Sequence, residues 1–298
     1  MEKPKVCVLR TDGINCDRET AYAFNKAAEE VLDQEGIEIA EIVHINSLTK
    51  GYDPATKRKI SLHDYHILAD PGGFSYGDYI AAGKVLAEEM RQFLQEDMQK
   101  FIEDEKLMIG ICNGFQVLVK SGLLPNLDGK IEQTATLTYN NSRNFECRWV
   151  RLAFPENSCV WTKGIEYLEI PVAHGEGKFD APEEVVKELF EKKLIVCQYV
   201  DENGKPTQQF PDNPNASIEA IAGICDLTGR IFGLMPHPER FNHSHNHHLA
   251  TLQKILSRDY VDKSAPWIQE RVRLAGEYSS EGKGLQIFKN GIEYFVKN

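Results

Sequence analysis

Up to Lys120 the chain alternates between two hydrophobic rhythms. Val6, Cys7, Val8 and Leu9 make an unbroken apolar run, which predicts a short strand over 5–9. Ala21, Phe24, Ala28, Val31 and Leu32 then recur on one helical face, so residues 17–34 read as a helix that Gly36 stops. Strands are expected at 37–43 and 65–69, a helix at 84–101 and a further strand at 107–111. This alternation predicts an α/β fold with a doubly wound, largely parallel sheet. Beyond residue 130 the rhythm changes. Strands at 146–154, 167–172 and 194–199 have few long helices between them. The runs 218–225 and 230–234 flank Asp226-Leu227-Thr228-Gly229, a turn signal, and predict a hairpin. After Glu239 the periodicity weakens. The expected organisation is one domain over 1–240 and an added C-terminal tail over 241–298.

Ligands of such sheets sit at the carboxyl ends of the strands, and two glycine-rich segments fall there. The first is Pro71-Gly72-Gly73-Phe74-Ser75-Tyr76-Gly77-Asp78, which no helix would tolerate. The second is Gly110-Ile111-Cys112-Asn113-Gly114. A thiol between two glycines at a strand-to-helix seam is either packing at a tight turn or a nucleophile that the turn presents. The spacing has the form of a nucleophile elbow, and a helix starting at Asn113 favours the thiolate. The Asn113 amide, with that of Gly73, would then form an oxyanion hole. Gly-Gly is also common in plain turns. A third segment, Met235-Pro236-His237-Pro238-Glu239-Arg240, holds a histidine between two prolines with a carboxylate two residues on. A lone histidine is usually ordinary surface or core, but this one has the orienting partner that a Cys–His pair uses.

Composition narrows the classes. The 298 residues carry 45 acidic against 34 basic side chains, a net charge of −11, which argues against nucleic acid or an anionic membrane as the main partner. There is no signal-peptide pattern and no apolar run long enough to span a bilayer, so a cytoplasmic location is expected. The seven cysteines are widely and irregularly spaced, with no CxxC pair. Reduced thiols are expected, with Cys7, Cys16, Cys147, Cys159, Cys197 and Cys225 as buried small side chains. The Asn-x-Ser sequons at Asn140 and Asn215 then carry no meaning. His243, His245, His247 and His248 could ligate zinc or nickel, but no carboxylate or thiol accompanies them at closed-site spacing. They read as a solvated or partner-facing segment, and no metal is expected.

The three segments, in this order, resemble the class I (triad) glutamine amidotransferases. A closer resemblance, to the glutaminase subunits and domains of phosphoribosylformylglycinamidine synthase, runs colinearly from 5 to 240. It is carried by Asn15–Thr20 (NCDRET), Pro71–Gly83 (PGGFSYGDYIAAG), Gly110–Leu118 (GICNGFQVL), Asn140–Val150 (NNSRNFECRWV), Ile170–Phe179 (IPVAHGEGKF) and Met235–Arg240 (MPHPER). The resemblance implies a glutaminase with Cys112 as nucleophile, His237 as general base and acid, Glu239 as its orienter and the Gly73 and Asn113 amides as oxyanion hole. Gln116, Asn141, Ser142, Arg143, Phe145 and His174 lie in motifs that face glutamine or the partner. It implies no cofactor on this chain, and ATP and magnesium on a large ATP-dependent synthase subunit, with a small accessory subunit in some assemblies. One departure is visible: the first motif reads Asp12-Gly13-Ile14-Asn15-Cys16 where the family has Pro-Gly-Thr/Ser-Asn-Cys. A cysteine peptidase on the same elbow, a glutaminase serving another acceptor and a degenerate regulatory binder are the rival readings.

Overall fold

The computed structural model describes residues 3–258, 264, 268–269 and 281–297. In chain order the elements are β1 (Val6–Arg10), α1 (Asp17–Val31), β2 (Ala40–His44), α2 (Ile45–Lys50) and a small hairpin of β3 (Tyr52–Asp53) and β4 (Arg58–Lys59). Then come β5 (Ile67–Asp70), α3 (Lys84–Phe93), α4 (Gln95–Glu103), β6 (Leu107–Ile111) and α5 (Asn113–Lys120). The second half holds β7 (Thr136–Thr138), β8 (Glu146–Ala153), β9 (Tyr167–His174), β10 (Lys178–Asp180), α6 (Glu183–Glu191), β11 (Ile195–Tyr199), β12 (Ile221–Cys225) and β13 (Ile231–Leu234). Helices α7 (Ala250–Leu256) and α8 (Leu285–Val296) end the chain.

Nine strands form one sheet in the order β2-β1-β5-β6-β13-β12-β11-β8-β9. The expected α/β sheet is present. It is parallel from β2 to β13, and each later pairing, through β12, β11 and β8 to β9, is antiparallel. The apolar runs explain the parallel half: β5, β6 and β13 are buried at every position, as strands covered on both faces must be. Register aligns their carboxyl ends, with Asp70 opposite Gly110 and Leu234 opposite Ile111. The segments that follow these strands therefore emerge side by side.

The helix expected at 84–101 is two helices, because Leu94 leaves helical geometry (φ −125°, ψ 8°). The break lets Leu86, Ala87 and Met90 on one piece and Met98 and Phe101 on the other all reach the core. Part of the tail expected over 241–298 lies outside the described residues. Its last part, α8, packs against α1 with Leu285, Ile287, Phe288 and Ile292 fully buried.

Candidate active site

β6 delivers Cys112 to the sheet edge, and α5 departs from the next residue. Cys112 sits at φ 52° and ψ −102°, outside the regions ordinary residues occupy, a strain of about 1–3 kcal/mol. The positive φ falls on the cysteine itself, and neither Gly110 nor Gly114 has one. The glycines serve close approach instead. A Cβ on Gly114 would stand 1.9 Å from the Asp70 carbonyl oxygen, and one on Gly110 2.5 Å from that of Gly114. This contact seats α5 on β5 and β6 and leaves Cys112 at the helix's positive end.

His237 follows β13. Its N–H donates to the Pro171 carbonyl (2.8 Å) and its Nδ1 lies 2.6 Å from Glu239 Oε1, with both side chains buried. Burial pulls the imidazole pKa down, but the charge of Glu239 and the nearness of Cys112 and Cys16 outweigh it. The pKa ends well above its ordinary value. Gly72 lets these groups meet: a Cβ there would fall 2.7 Å from His237 Cε1, 3.2 Å from Cys16 Sγ and 3.4 Å from Cys112 Cβ. Cys16 is buried as expected, but it stands beside His237 and accepts a hydrogen bond from Arg240 Nη2 (3.0 Å). The departing first motif thus reaches the site. The Gly73 and Asn113 amide N–H groups have no acceptor among the described residues.

Cys112 opens onto a cavity of about 120 Å³. Gly73, Gln116, Phe145 and His174, all marked by the sequence, line it, as do Phe74, Asp78, Tyr139 and Glu176. Asn113 lies behind it, bracing the Ser75 amide through Oδ1 and Gln116 Oε1 through Nδ2. Asn141, Ser142 and Arg143 do not line the cavity; Asn141 accepts from Lys178 Nζ and Ser142 donates to Glu146. Asp78 and Glu176 lie inside quoted motifs, but nothing in their spacing marks them as walls of one cavity.

A family model described as the CobB/CobQ-like glutamine amidotransferase domain matches residues 3–295. The chain belongs to that family. Among curated relatives of these amidotransferases, phosphoribosylformylglycinamidine synthase subunit PurQ of Methanococcus maripaludis is 43% identical over 99% of this chain and 98% of its own. The subunit of the same name from Dehalococcoides mccartyi is 43% identical with the same coverage. A solved chain from the PurLQS structure of Thermotoga maritima matches at 28% identity and a TM-score of 0.60, covering 99% of this chain and all of its own.

Outside this site, His247 and His248 do meet a carboxylate, Glu169 of β9, 78 residues back in the chain. The Leu249 N–H donates to His247 Nδ1 (3.2 Å), so the ring's hydrogen is on Nε2, facing Glu169 Oε2. That is a hydrogen bond, not a vacant ligand atom. Asn140 and Asn215 are buried braces, hydrogen-bonded to the 174–177 turn. Cys147, expected to be buried, is exposed on β8. Among the described residues no helix is long and apolar enough to cross a membrane.

Proposed function

We infer that this chain is the glutaminase component of phosphoribosylformylglycinamidine synthase. It hydrolyses glutamine and passes ammonia to a large ATP-dependent synthase subunit, which converts formylglycinamide ribonucleotide to the amidine in purine biosynthesis. ATP and magnesium belong to that partner in this reading. The observation that supports it most is that His237, held by Glu239, and Cys112 come together around Gly72 at a small cavity.

The chemistry follows from the geometry. With its pKa raised, the resting His237 imidazole carries a proton that it can give up. Cys112 Sγ bonds to the side-chain amide carbon of glutamine, and the carbonyl oxygen takes up the negative charge. The Gly73 and Asn113 N–H groups stabilise that oxyanion; one such donor is worth about 3–4 kcal/mol. His237 gives its proton to the departing nitrogen as the carbon–nitrogen bond breaks, leaving a glutamyl thioester and ammonia. Neutral His237 then takes a proton from water, and the hydroxyl attacks the thioester. Glutamate leaves and the thiolate returns. Glu239 keeps the imidazole in one tautomer and orientation throughout. A cavity of about 120 Å³ suits a free amino acid better than an extended peptide, which disfavours the peptidase reading.

In the complex with the synthase, Cys112→Ser should lower glutamine-dependent amidine formation by roughly 10³-fold or more. Formation from added ammonium should persist, because the fold and the partner are untouched. Unchanged glutamine turnover in that variant would remove the reading.

A further inference from the structure

Beside the nucleophile stands a thiol to which the hydrolysis gives no task. Cys16 precedes α1, and His237 and Glu239 follow β13. Yet the Cys16 sulfur, a ring nitrogen of His237 and a carboxylate oxygen of Glu239 lie within 4.8 Å of one another, all three residues buried. Cys112 borders the same space: a Cβ on Gly72 would stand 3.4 Å from Cys112 Cβ and 3.2 Å from Cys16 Sγ. Gly72 thus leaves a gap in which two sulfurs and one imidazole approach each other.

The bonding within this group leaves donors for a metal ion. An ionised Glu239 only accepts, so the hydrogen of its 2.6 Å contact is on His237 Nδ1. The lone pair of the neutral ring is then on Nε2, which is buried and has no partner among the described residues. A carboxylate on Nδ1 is the arrangement that orients a histidine ligand and makes it more basic. Cys16 Sγ accepts from Arg240 Nη2 at 3.0 Å and lies 3.5 Å from Asn15 Oδ1. Burial favours its thiol and the Arg240 charge its thiolate, the form that ligates a metal.

We propose that Cys16 Sγ and His237 Nε2, with Cys112 Sγ closing the set, form an inhibitory site for a thiophilic divalent cation, zinc. The effect on turnover rests on the glutaminase reading and adds a regulator to the same site. Two sulfurs and an imidazole select such an ion over magnesium or calcium, which take oxygen ligands. Around tetrahedral zinc, neighbouring ligand atoms stand about 3.5–4 Å apart, close to the spacing found here. The ion enters through the cavity onto which Cys112 opens. It displaces the Cys16 thiol proton and the proton on Nε2 to solvent and occupies the nitrogen lone pair. His237 then has no proton for the departing nitrogen and takes none from water, so hydrolysis stops until the ion is removed. The ion is an inhibitor, and no step of the reaction runs through it.

The test adds zinc chloride to the complex with the synthase at fixed magnesium and reads amidine formation from glutamine and from ammonium. In the wild type, zinc should suppress the glutamine reaction and spare the ammonium reaction, and a zinc-selective chelator should restore the first. Each variant is scored against its own zinc-free rate. Cys16→Ser, which keeps the side chain's size, should raise the half-inhibitory zinc concentration by about 10-fold or more, and Cys16→Ala should do the same. Cys147→Ala, which removes an exposed thiol on β8, should leave it unchanged. Cobalt(II), a spectroscopic stand-in for zinc, should give the full chain a thiolate-to-metal absorption band that Cys16→Ser weakens. That band also judges a Cys16 variant that has lost its zinc-free activity. An unshifted half-inhibitory concentration in both Cys16 variants, a cobalt band that Cys16→Ser leaves intact, or equal loss of the two reactions in the wild type would overturn the proposal alone. A wild-type complex that forms no amidine from glutamine before zinc is added would overturn the glutaminase reading, and the cobalt band would still decide the metal site.

Discussion

Asp70 closes β5 one residue before the Pro71-Gly72-Gly73 turn, buried, with neither carboxylate oxygen hydrogen-bonded among the described residues. Burial raises its pKa from 3.8 to about 8. The folded chain therefore holds a proton that the unfolded chain has released across that window. The resulting stability is fully present below pH 3.8 and is lost as pH rises through about 8. Asp70→Asn should flatten this dependence. Its advantage over the wild type in thermal unfolding should widen between pH 4 and pH 8, by on the order of several kcal/mol. Unfolding curves that shift in parallel with pH would count against a neutral Asp70. The sequence does not show this feature, since an aspartate at a strand end is read as solvated until the neighbours that bury it are known. Cys112 is the reverse case: its glycine spacing announced an elbow from the sequence alone. That the strained φ belongs to the cysteine, with the glycines clearing space for β5, required the coordinates.

At the scale of elements, α8 shows how far a helix can act from its place in the chain. Its Phe288 meets Phe24 of α1 edge-on, with ring centroids 4.9 Å apart, and Lys289 pairs with Glu30 of α1 (2.5 Å). Gly291 admits the Trp161 ring, which a Cβ there would approach to 2.4 Å. Phe288→Ala should cost about 3–5 kcal/mol, read as a lowered midpoint in urea unfolding. Loss of less than about 1 kcal/mol would mean that α8 is not part of the main core. The helical spacing of α1 was plain in the sequence, whereas α8 came out of a stretch with weak periodicity. Such a helix owes its place to packing, which no local pattern records.

Over the whole molecule, the sheet's second half turns back over the first. β9 is four strands away from β13 in the sheet order, yet the Pro171 carbonyl takes the His237 N–H and the Ala173 carbonyl lies 3.6 Å from Cys112 Sγ. The antiparallel half thereby roofs the site. Three of the cavity's apolar lining residues stay exposed, Tyr139 (66%), Phe145 (53%) and Phe74 (45%), and Tyr79 (91%) and Ile80 (76%) directly follow Asp78 of the same wall. Two of these are nearly bare side chains, and exposed apolar side chains grouped in this way are the kind that a partner covers. Ile80→Glu should weaken copurification with the synthase by about 10-fold or more while leaving the fold's melting temperature unchanged. Undiminished complex formation would move the docking surface elsewhere.

The sequence by itself determined the α/β alternation, the elbow, the histidine with its carboxylate and the family that they indicate. Each of these is written in local spacing, which the backbone reads over a few residues. Only the tertiary structure decided that Cys16 stands beside His237, that Asp78, His174 and Glu176 share one wall, and that the last helix joins the core. Those are meetings between residues far apart in the chain. They follow from strand order and register, and these are set by burial of the whole sheet rather than by any short stretch of it.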